Sequence, residues 1–372
     1  MMSLRPLFGH EVLRHRLASA HRAGRLPSSL LLTGPRGVGK QRLALWLGQR
    51  LLCSEADAWD AGVAEPVEPC GTCAHCRYAL RLQHPDLHWF FPRPRLKDGD
   101  ASAEDVRADL AEAIGERMEA DGLWSAASGL DALYVATSRA LVQTAAKRPA
   151  MASRAVFVIG DAERMVSQEG ADQAANAFLK LLEEPPAGTT LILTSSEPGA
   201  LLPTIRSRVV TLRVAPIGPD AMQAFLRDEA VHAHLGGRAG DTAALIAQAG
   251  GAPGRLLEDA AGVDARDAAR HLLDAALAPR APEGDALRTL VAASTGVSKA
   301  RGAYADALDA LSALLHERIR DALDRSLERH ARHCAMAIAT LETYKLRTQQ
   351  NVTPQLLTAA LLDDLADLLA RP

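Results

Sequence analysis

Short runs of consecutive apolar residues alternate with amphipathic stretches over roughly the first 214 positions of the chain. Residues 28–33 (SSLLLT), 85–91 (PDLHWFF), 155–159 (AVFVI) and 191–196 (LILTSS) lack the apolar–polar alternation of a half-exposed strand, so they predict strands buried on both faces. Between them, 41–52 and 176–184 repeat their apolar positions with a helical period. This alternation of strand and helix predicts an α/β module: a parallel sheet with helices on both faces. After Pro216-Ile217-Gly218-Pro219, which can extend neither strand nor helix, 215–262 reads as short helices forming a small lid. From 263 to 372 only the helical period is left, with stripes such as Leu308, Leu311, Leu315 and Ile319, and later Leu357, Leu361 and Leu365, which predict an all-α domain suited to self-association.

One stretch departs from this order. Residues 97–131 hold ten acidic residues against three basic ones, and Val106, Leu110, Ile114 and Met118 recur every fourth position. The segment predicts a helix with one apolar stripe, inserted into the sheet module. Its acidic face is either solvated or a docking site for a basic partner. The whole chain, at 372 residues and a net charge of −3, is long enough for two or three domains. It has no basic footprint of a stand-alone nucleic-acid binder, and no apolar run approaches the roughly 18 residues of a membrane span. The 48% apolar and 23% charged content is that of a soluble protein, expected in the cytoplasm, with no signal peptide.

Between the first strand and the first long helix lies Gly34-Pro35-Arg36-Gly37-Val38-Gly39-Lys40-Gln41, a phosphate-binding loop. Gly34, Gly37 and Gly39 allow backbone N–H groups to converge on an anion, the helix N-terminus adds partial positive charge, and Lys40 adds a full one. Position 41 departs from the pattern. It should carry Ser or Thr to ligate Mg²⁺, and the longer amide of Gln41 displaces a hard oxygen from the metal.

A second motif is Cys70-Gly71-Thr72-Cys73-Ala74-His75-Cys76, with Cys53 upstream at the end of the loop's helix. Four thiolates at this spacing predict one tetrahedral structural Zn²⁺. A cysteine following Cys76 closely would favour an iron–sulfur cluster, but Leu80 stands there. Disulfides are the alternative in an oxidising compartment. His75 and His84 are candidate substitute ligands, and the solitary Cys334 reads as a small buried apolar residue.

The phosphate loop, the strand 155–159 with Gly160-Asp161-Ala162-Glu163 after it, the helix ending Leu181-Leu182-Glu183-Glu184-Pro185-Pro186, the strand 191–196 and the pair Ser207-Arg208 together resemble the AAA+ subunits of bacterial sliding-clamp loaders. The resemblance covers most of the chain. It implies an AAA+ module over 1–214, with a zinc module at 53–76 and the acidic insertion at 97–131, then a lid over 215–262 and a helical collar over 263–372. An active member carries Asp and then Glu after the strand that here ends at Ile159. Gly160 and Asp161 leave the metal position empty and the base one methylene short, unless the frame slides to Asp161 and Glu163. The resemblance therefore implies a stator, with ATP or ADP bound weakly or not at all and no turnover of its own. The alternative is a tau/gamma-type subunit that binds and hydrolyses ATP. It further implies that Arg208 acts as an arginine finger on a neighbour's ATP, that Arg255 of the lid reaches a nucleotide at its own site, and that the partners are the tau/gamma and delta subunits, the sliding clamp and primed DNA. No membrane is implied.

Overall fold

In the computed structural model, residues 3–56, 67–96, 101–124, 131–165, 172–236, 241–257, 260–278, 301–348 and 354–369 are described. The apolar runs become strands β1 (Ser29–Thr33), β2 (Leu87–Phe90), β3 (Ala155–Ile159) and β4 (Thr189–Ser195), joined by β5 (Val210–Arg213). They form one all-parallel sheet in the order β2-β3-β4-β1-β5. Leu31 of β1 sits opposite Leu193 of β4, and Phe157 of β3 opposite Leu191. Every residue of β1, β3 and β4 is buried, as in a sheet covered on both faces. The edge strand β5 is mostly exposed.

The helices around this sheet are α1 (Glu11–Arg22), α2 (Lys40–Leu52), α3 (Ala74–Leu80), α4 (Ala103–Glu119), α5 (Val135–Ala145), α6 (Asp172–Glu183) and the single turn α7 (Pro203–Arg206). Helix α2, which follows the phosphate loop, is buried along most of its length. Gly48 sets how closely α2 approaches the sheet, since a Cβ there would lie 2.6 Å from Leu87 Cδ1. The inserted helix α4 forms as predicted. Ser102 and Asp105 close a reciprocal cap at its start, and Val106, Leu110, Ala113 and Met118 join the main core while Glu104, Glu112, Glu116 and Glu119 face outward. Its ends at 97–100 and 125–130 lie outside the described residues, as do 57–66 of the predicted zinc module.

Helices α8 (Pro219–Arg227), α9 (Glu229–Leu235) and α10 (Thr242–Ala249), with the turn Pro253–Leu257, gather a separate apolar cluster around Met222, Phe225, Val231 and Leu256. They belong to the same compact unit as the sheet, which spans 1–127 and 131–257. The second unit, 258–372 with 128–130, contains α11 (Ala260–Leu277), α12 (Arg301–Asp324), α13 (Glu328–Thr348) and α14 (Pro354–Leu369). Leu308, Leu311, Leu315, Leu357, Leu361 and Leu365 form its core, and Cys334 is buried among them. Tyr344 Oη donates to Asp364 Oδ2 at 2.7 Å, and Lys345 pairs with Asp309 at 2.8 Å. Residues 279–300, 349–353 and 370–372 of this predicted collar lie outside the described residues.

The turn before β3 hangs on one carboxylate. Asp86, 1% exposed, accepts the N–H groups of Ala150 (2.6 Å), Met151 (2.8 Å) and Ala152 (2.6 Å). Burial alone would raise its pKa, but the three N–H donors outweigh burial and hold it below the usual carboxylate range. A depressed folded-state pKa contributes stability at pH values above the unfolded value near 3.9, lost as pH falls through the folded value. Asp86→Ala removes the buried carboxylate that three N–H donors share, so chemical denaturation at pH 7 should show a loss of about 1–3 kcal/mol. The gap between variant and parent should narrow as the pH drops below about 4.

Candidate functional site

The phosphate loop leaves β1 beside the ends of β3 and β4, where the parallel strands deliver their C-terminal residues to one place. Gly37 and Gly39 both adopt positive φ, as the loop demands. Lys40, however, is 4% exposed and turned back on its own chain. Its Nζ donates to Gly34 O (3.0 Å), Pro35 O (2.9 Å) and Ser196 Oγ (2.8 Å), so all three ammonium protons have internal acceptors. Burial pushes the Lys40 pKa down, opposed by Asp161 and Glu163.

The Gln41 amide occupies the space beside Gly160. A Cβ on Gly160 would lie 2.7 Å from Gln41 Cδ and Oε1 and 2.8 Å from Nε2. Gln41 Nε2 donates to Asp161 Oδ2 at 3.0 Å, and Trp89 Nε1 donates to Gln41 Oε1 at 3.1 Å. The two departures read separately from the sequence are thus complementary in space: the long amide fits because position 160 has no side chain. Asp161 itself sits at φ 46, its N–H donating to Thr194 Oγ1 at 3.0 Å. Glu163 Oε1 accepts from Ser196 N at 2.8 Å, and burial, with Asp161 beside it, pushes the Glu163 carboxyl up.

The lid closes over the loop through backbone. Gly254 N donates to Gly37 O at 2.8 Å, and a Cβ on Gly254 would lie 2.8 Å from Gly37 Cα. Arg255 lies against the same residue, its N 2.9 Å from where a Gly37 Cβ would be. His10 Nε2 meets Val38 O at 2.9 Å from the other side. Gly34, Gly37, Gly39, Lys40 and Arg255 are therefore gathered in one place, in a loop whose lysine and Gly37 carbonyl already have partners within the chain.

Cys53, Cys70, Cys73 and Cys76 form a second centre, where α2 ends and α3 begins. Their Sγ atoms lie within 4.8 Å of one another, with Cys70 and Cys76 at 3.9 Å. Tetrahedral Zn–S bonds of about 2.3 Å would put the sulfurs about 3.8 Å apart, so the donor set fits such an ion. Burial pushes the Cys76 thiol up. At Cys70 burial acts the same way, but N–H and hydroxyl donors from Cys73 and Thr72 prevail and bring it to about 6. Among the described residues the group contains cysteines only. His84 Nδ1 accepts from Asp86 N at 3.0 Å, so its Nε2 carries the proton donated to His75 Nδ1 at 2.9 Å. The histidines serve each other. Glu68 docks the approach to Cys70, accepting from Arg14 Nη1 (2.5 Å) and Trp46 Nε1 (2.8 Å).

Arg208 lies between α7 and β5, away from the loop in sequence and partly exposed. Its Nε donates to Glu183 Oε1 at 2.5 Å and its Nη1 to Thr204 O at 2.8 Å, which holds the guanidinium against the end of α6. Sequence reasoning missed Trp89, Ser196 and Arg117. Arg117 on α4 stacks its guanidinium over Phe91 (3.6 Å to the ring centroid) and Trp89 (4.6 Å), and burial brings its pKa down to about 9. Only the excess of aromatic residues near the end of β2 could have hinted at that stack.

With this geometry in place, the comparison with known proteins is decisive. The profile of the family described as DNA polymerase III, delta subunit, matches residues 9–218. This chain belongs to that family. It is 28% identical over 211 residues to the DNA polymerase III subunit delta' of Bacillus subtilis, an alignment covering 57% of this chain and 49% of that one. It is 33% identical over 180 residues to subunit delta' of Pseudomonas aeruginosa, covering 48% and 40%. It is also similar to subunit gamma/tau of Mycobacterium tuberculosis, at 29% over 224 residues covering 60% and 30%. The chain thus spans about half the length, or less, of the curated relatives it matches.

The fit of Gln41 over Gly160 makes a quantitative expectation. Gly160→Ala should destabilise the protein by about 1–3 kcal/mol through overpacking. In a Gln41→Ala background the same change should cost little, giving a coupling above about 0.5 kcal/mol in a double-mutant cycle followed by urea denaturation.

Proposed function

We propose that this protein is a delta-prime-type stator subunit of a bacterial sliding-clamp loader, helping to place the clamp on primed DNA alongside tau/gamma and delta subunits. The observation that carries this reading is the Gln41 amide lying over Gly160, where a hydrolysing AAA+ subunit needs room for Mg²⁺ and its carboxylate. Family membership over residues 9–218 supports it. In this reading 1–214 is the AAA+ module, 215–262 its lid and 263–372 the collar through which copies assemble. The protein's own phosphate loop is structural, and ATP or ADP binds there weakly or not at all.

Arg208 then acts in trans. Its guanidinium is always charged and fork-shaped, which suits the γ-phosphate held by a neighbour, and here Glu183, Thr204 O and Ser207 Oγ hold it. Fingers supplied in trans are worth roughly 10³ to 10⁵ in turnover in GTPases, but a ring has several sites and one faces this subunit, so the loss is partial. In a complex reconstituted with tau/gamma, delta and clamp, Arg208→Ala should assemble normally and slow DNA-stimulated ATP hydrolysis several-fold, with Arg206→Ala having a smaller effect. Unchanged hydrolysis and loading would return Arg208 to a surface charge. Turnover of ATP by the purified wild-type subunit would favour the tau/gamma-type assignment instead.

The four-cysteine centre holds one Zn²⁺ in this reading, contributing folding free energy directly. Elemental analysis of protein purified without added metal should give close to one equivalent of zinc, lost in Cys73→Ser. Iron in its place, or less than about a tenth of an equivalent of zinc, would overturn the assignment.

A further inference from the structure

After α4 the acidic insertion contributes Gly122 and Leu123, both buried, and the half-buried Trp124. Ala120 and Asp121 turn the chain, and a Cβ on Gly122 would lie 3.4 Å from Leu4 Cα and Cδ2. Leu123 is buried in the apolar cluster of the lid, together with Ile217, Phe225 and Leu226. Trp124 turns the other way, its ring 4.9 Å from that of Trp89 and under the guanidinium of Arg42 at 5.9 Å. Two adjacent residues of one segment thus enter two different cores.

The surrounding charges form a continuous path. Trp89, its ring tilted at 59° against that of Trp124, donates to Gln41 at the phosphate loop. Arg42, the next residue of α2 and half-buried, donates to the carbonyl of Arg5. Arg5 in turn donates from Nε (3.1 Å) and Nη2 (2.5 Å) to Asp228 Oδ2, the residue whose carboxylate also caps α9 in the lid. Arg117 pins the insertion's own helix onto Trp89 and Phe91. The lid is therefore tied to the loop helix at the backbone of Gly37 and Gly254, and again through the insertion some residues away.

We infer that the insertion is a strut that fixes the lid in one position over the phosphate loop, with Leu123 and Trp124 as its two anchors and the Arg42–Arg5–Asp228 chain as its brace. A lid that moves with a bound nucleotide needs weak contacts to the module beneath it, whereas the buried Leu123, the half-buried Trp124 and a hydrogen-bonded ion pair hold this one whether or not the loop carries a ligand. The segment's acidic surface is solvated; the apolar residues at its end do the positioning.

Hydrogen exchange on the full chain, followed by mass spectrometry of peptides covering 219–235 against peptides covering 155–159 and 189–195, tests the strut. Trp124→Ala and Leu123→Ala should each speed exchange in α8 and α9 by about tenfold or more while the strands keep their protection. Trp124→Phe, which keeps an aromatic ring against Trp89, should stay within about twofold of the parent. Should the two alanine variants fold poorly, Arg5→Ala, at a partly exposed position, should loosen α9 by a smaller factor with the sheet intact. Equal acceleration in lid and strands would reduce the segment to ordinary core. Unchanged lid exchange in Trp124→Ala and Arg5→Ala would overturn the strut outright. None of these readings depends on nucleotide, clamp or partner subunits.

Discussion

A parallel sheet buried on both faces leaves its chain only one place to do chemistry, the C-terminal ends of its strands, where loops can turn outward without burying unpaired backbone. Here β1, β3 and β4 end together, delivering the phosphate loop, Gly160-Asp161 and Ser195-Ser196 to one corner. What distinguishes this protein is how that corner is filled. Lys40 has three acceptors inside the chain, and Gln41 links Asp161 to Trp89 across a position with no side chain. The Lys40 ammonium and the Gln41 and Asp161 side chains find their partners within the chain, while Glu163 Oε2 stays buried without one.

This internal satisfaction has an energetic logic. A buried ammonium without a partner costs several kcal/mol, and here acceptors within the chain supply the partners that Lys40 needs. Ser196 serves two groups at once, its hydroxyl accepting from Lys40 and its N–H donating to Glu163. Placement of the lid on Gly37 extends the same principle to backbone, where two glycines are needed because neither Cβ would fit. The phosphate loop meets the lid backbone to backbone at Gly37 and Gly254, and this close approach depends on both residues lacking a side chain.

The four-cysteine centre and the aromatic stack around Arg117 solve a different problem. Both decorate the ends of elements that the sheet alone does not hold: the end of α2, and the edge strand β2 with the insertion that follows it. Four cysteine sulfurs within 4.8 Å of one another form a small cluster of their own at the end of α2. A guanidinium against three aromatic rings pins α4, at the cost of burying a charge whose pKa falls to about 9.

The sequence by itself determined the strands, because runs such as 30–32 and 156–159 have only one way to leave water, and the motif glycines and cysteines, because their spacing carries its own chemistry. It also made legible the helix in the acidic insertion through a four-residue stripe, and the departures at Gln41 and Gly160 as separate oddities. Only the tertiary structure decided that those two are one feature, since their complementarity spans 119 residues of chain and rests on a distance of 2.7 Å. It alone brought Trp89, Arg117 and Trp124 together, assigned Leu123 to the lid rather than to solvent, and paired His75 with His84. Periodicity records which face of an element is apolar, but not which other element will cover it; that choice is made by long-range packing and by the need to give each buried polar group a partner.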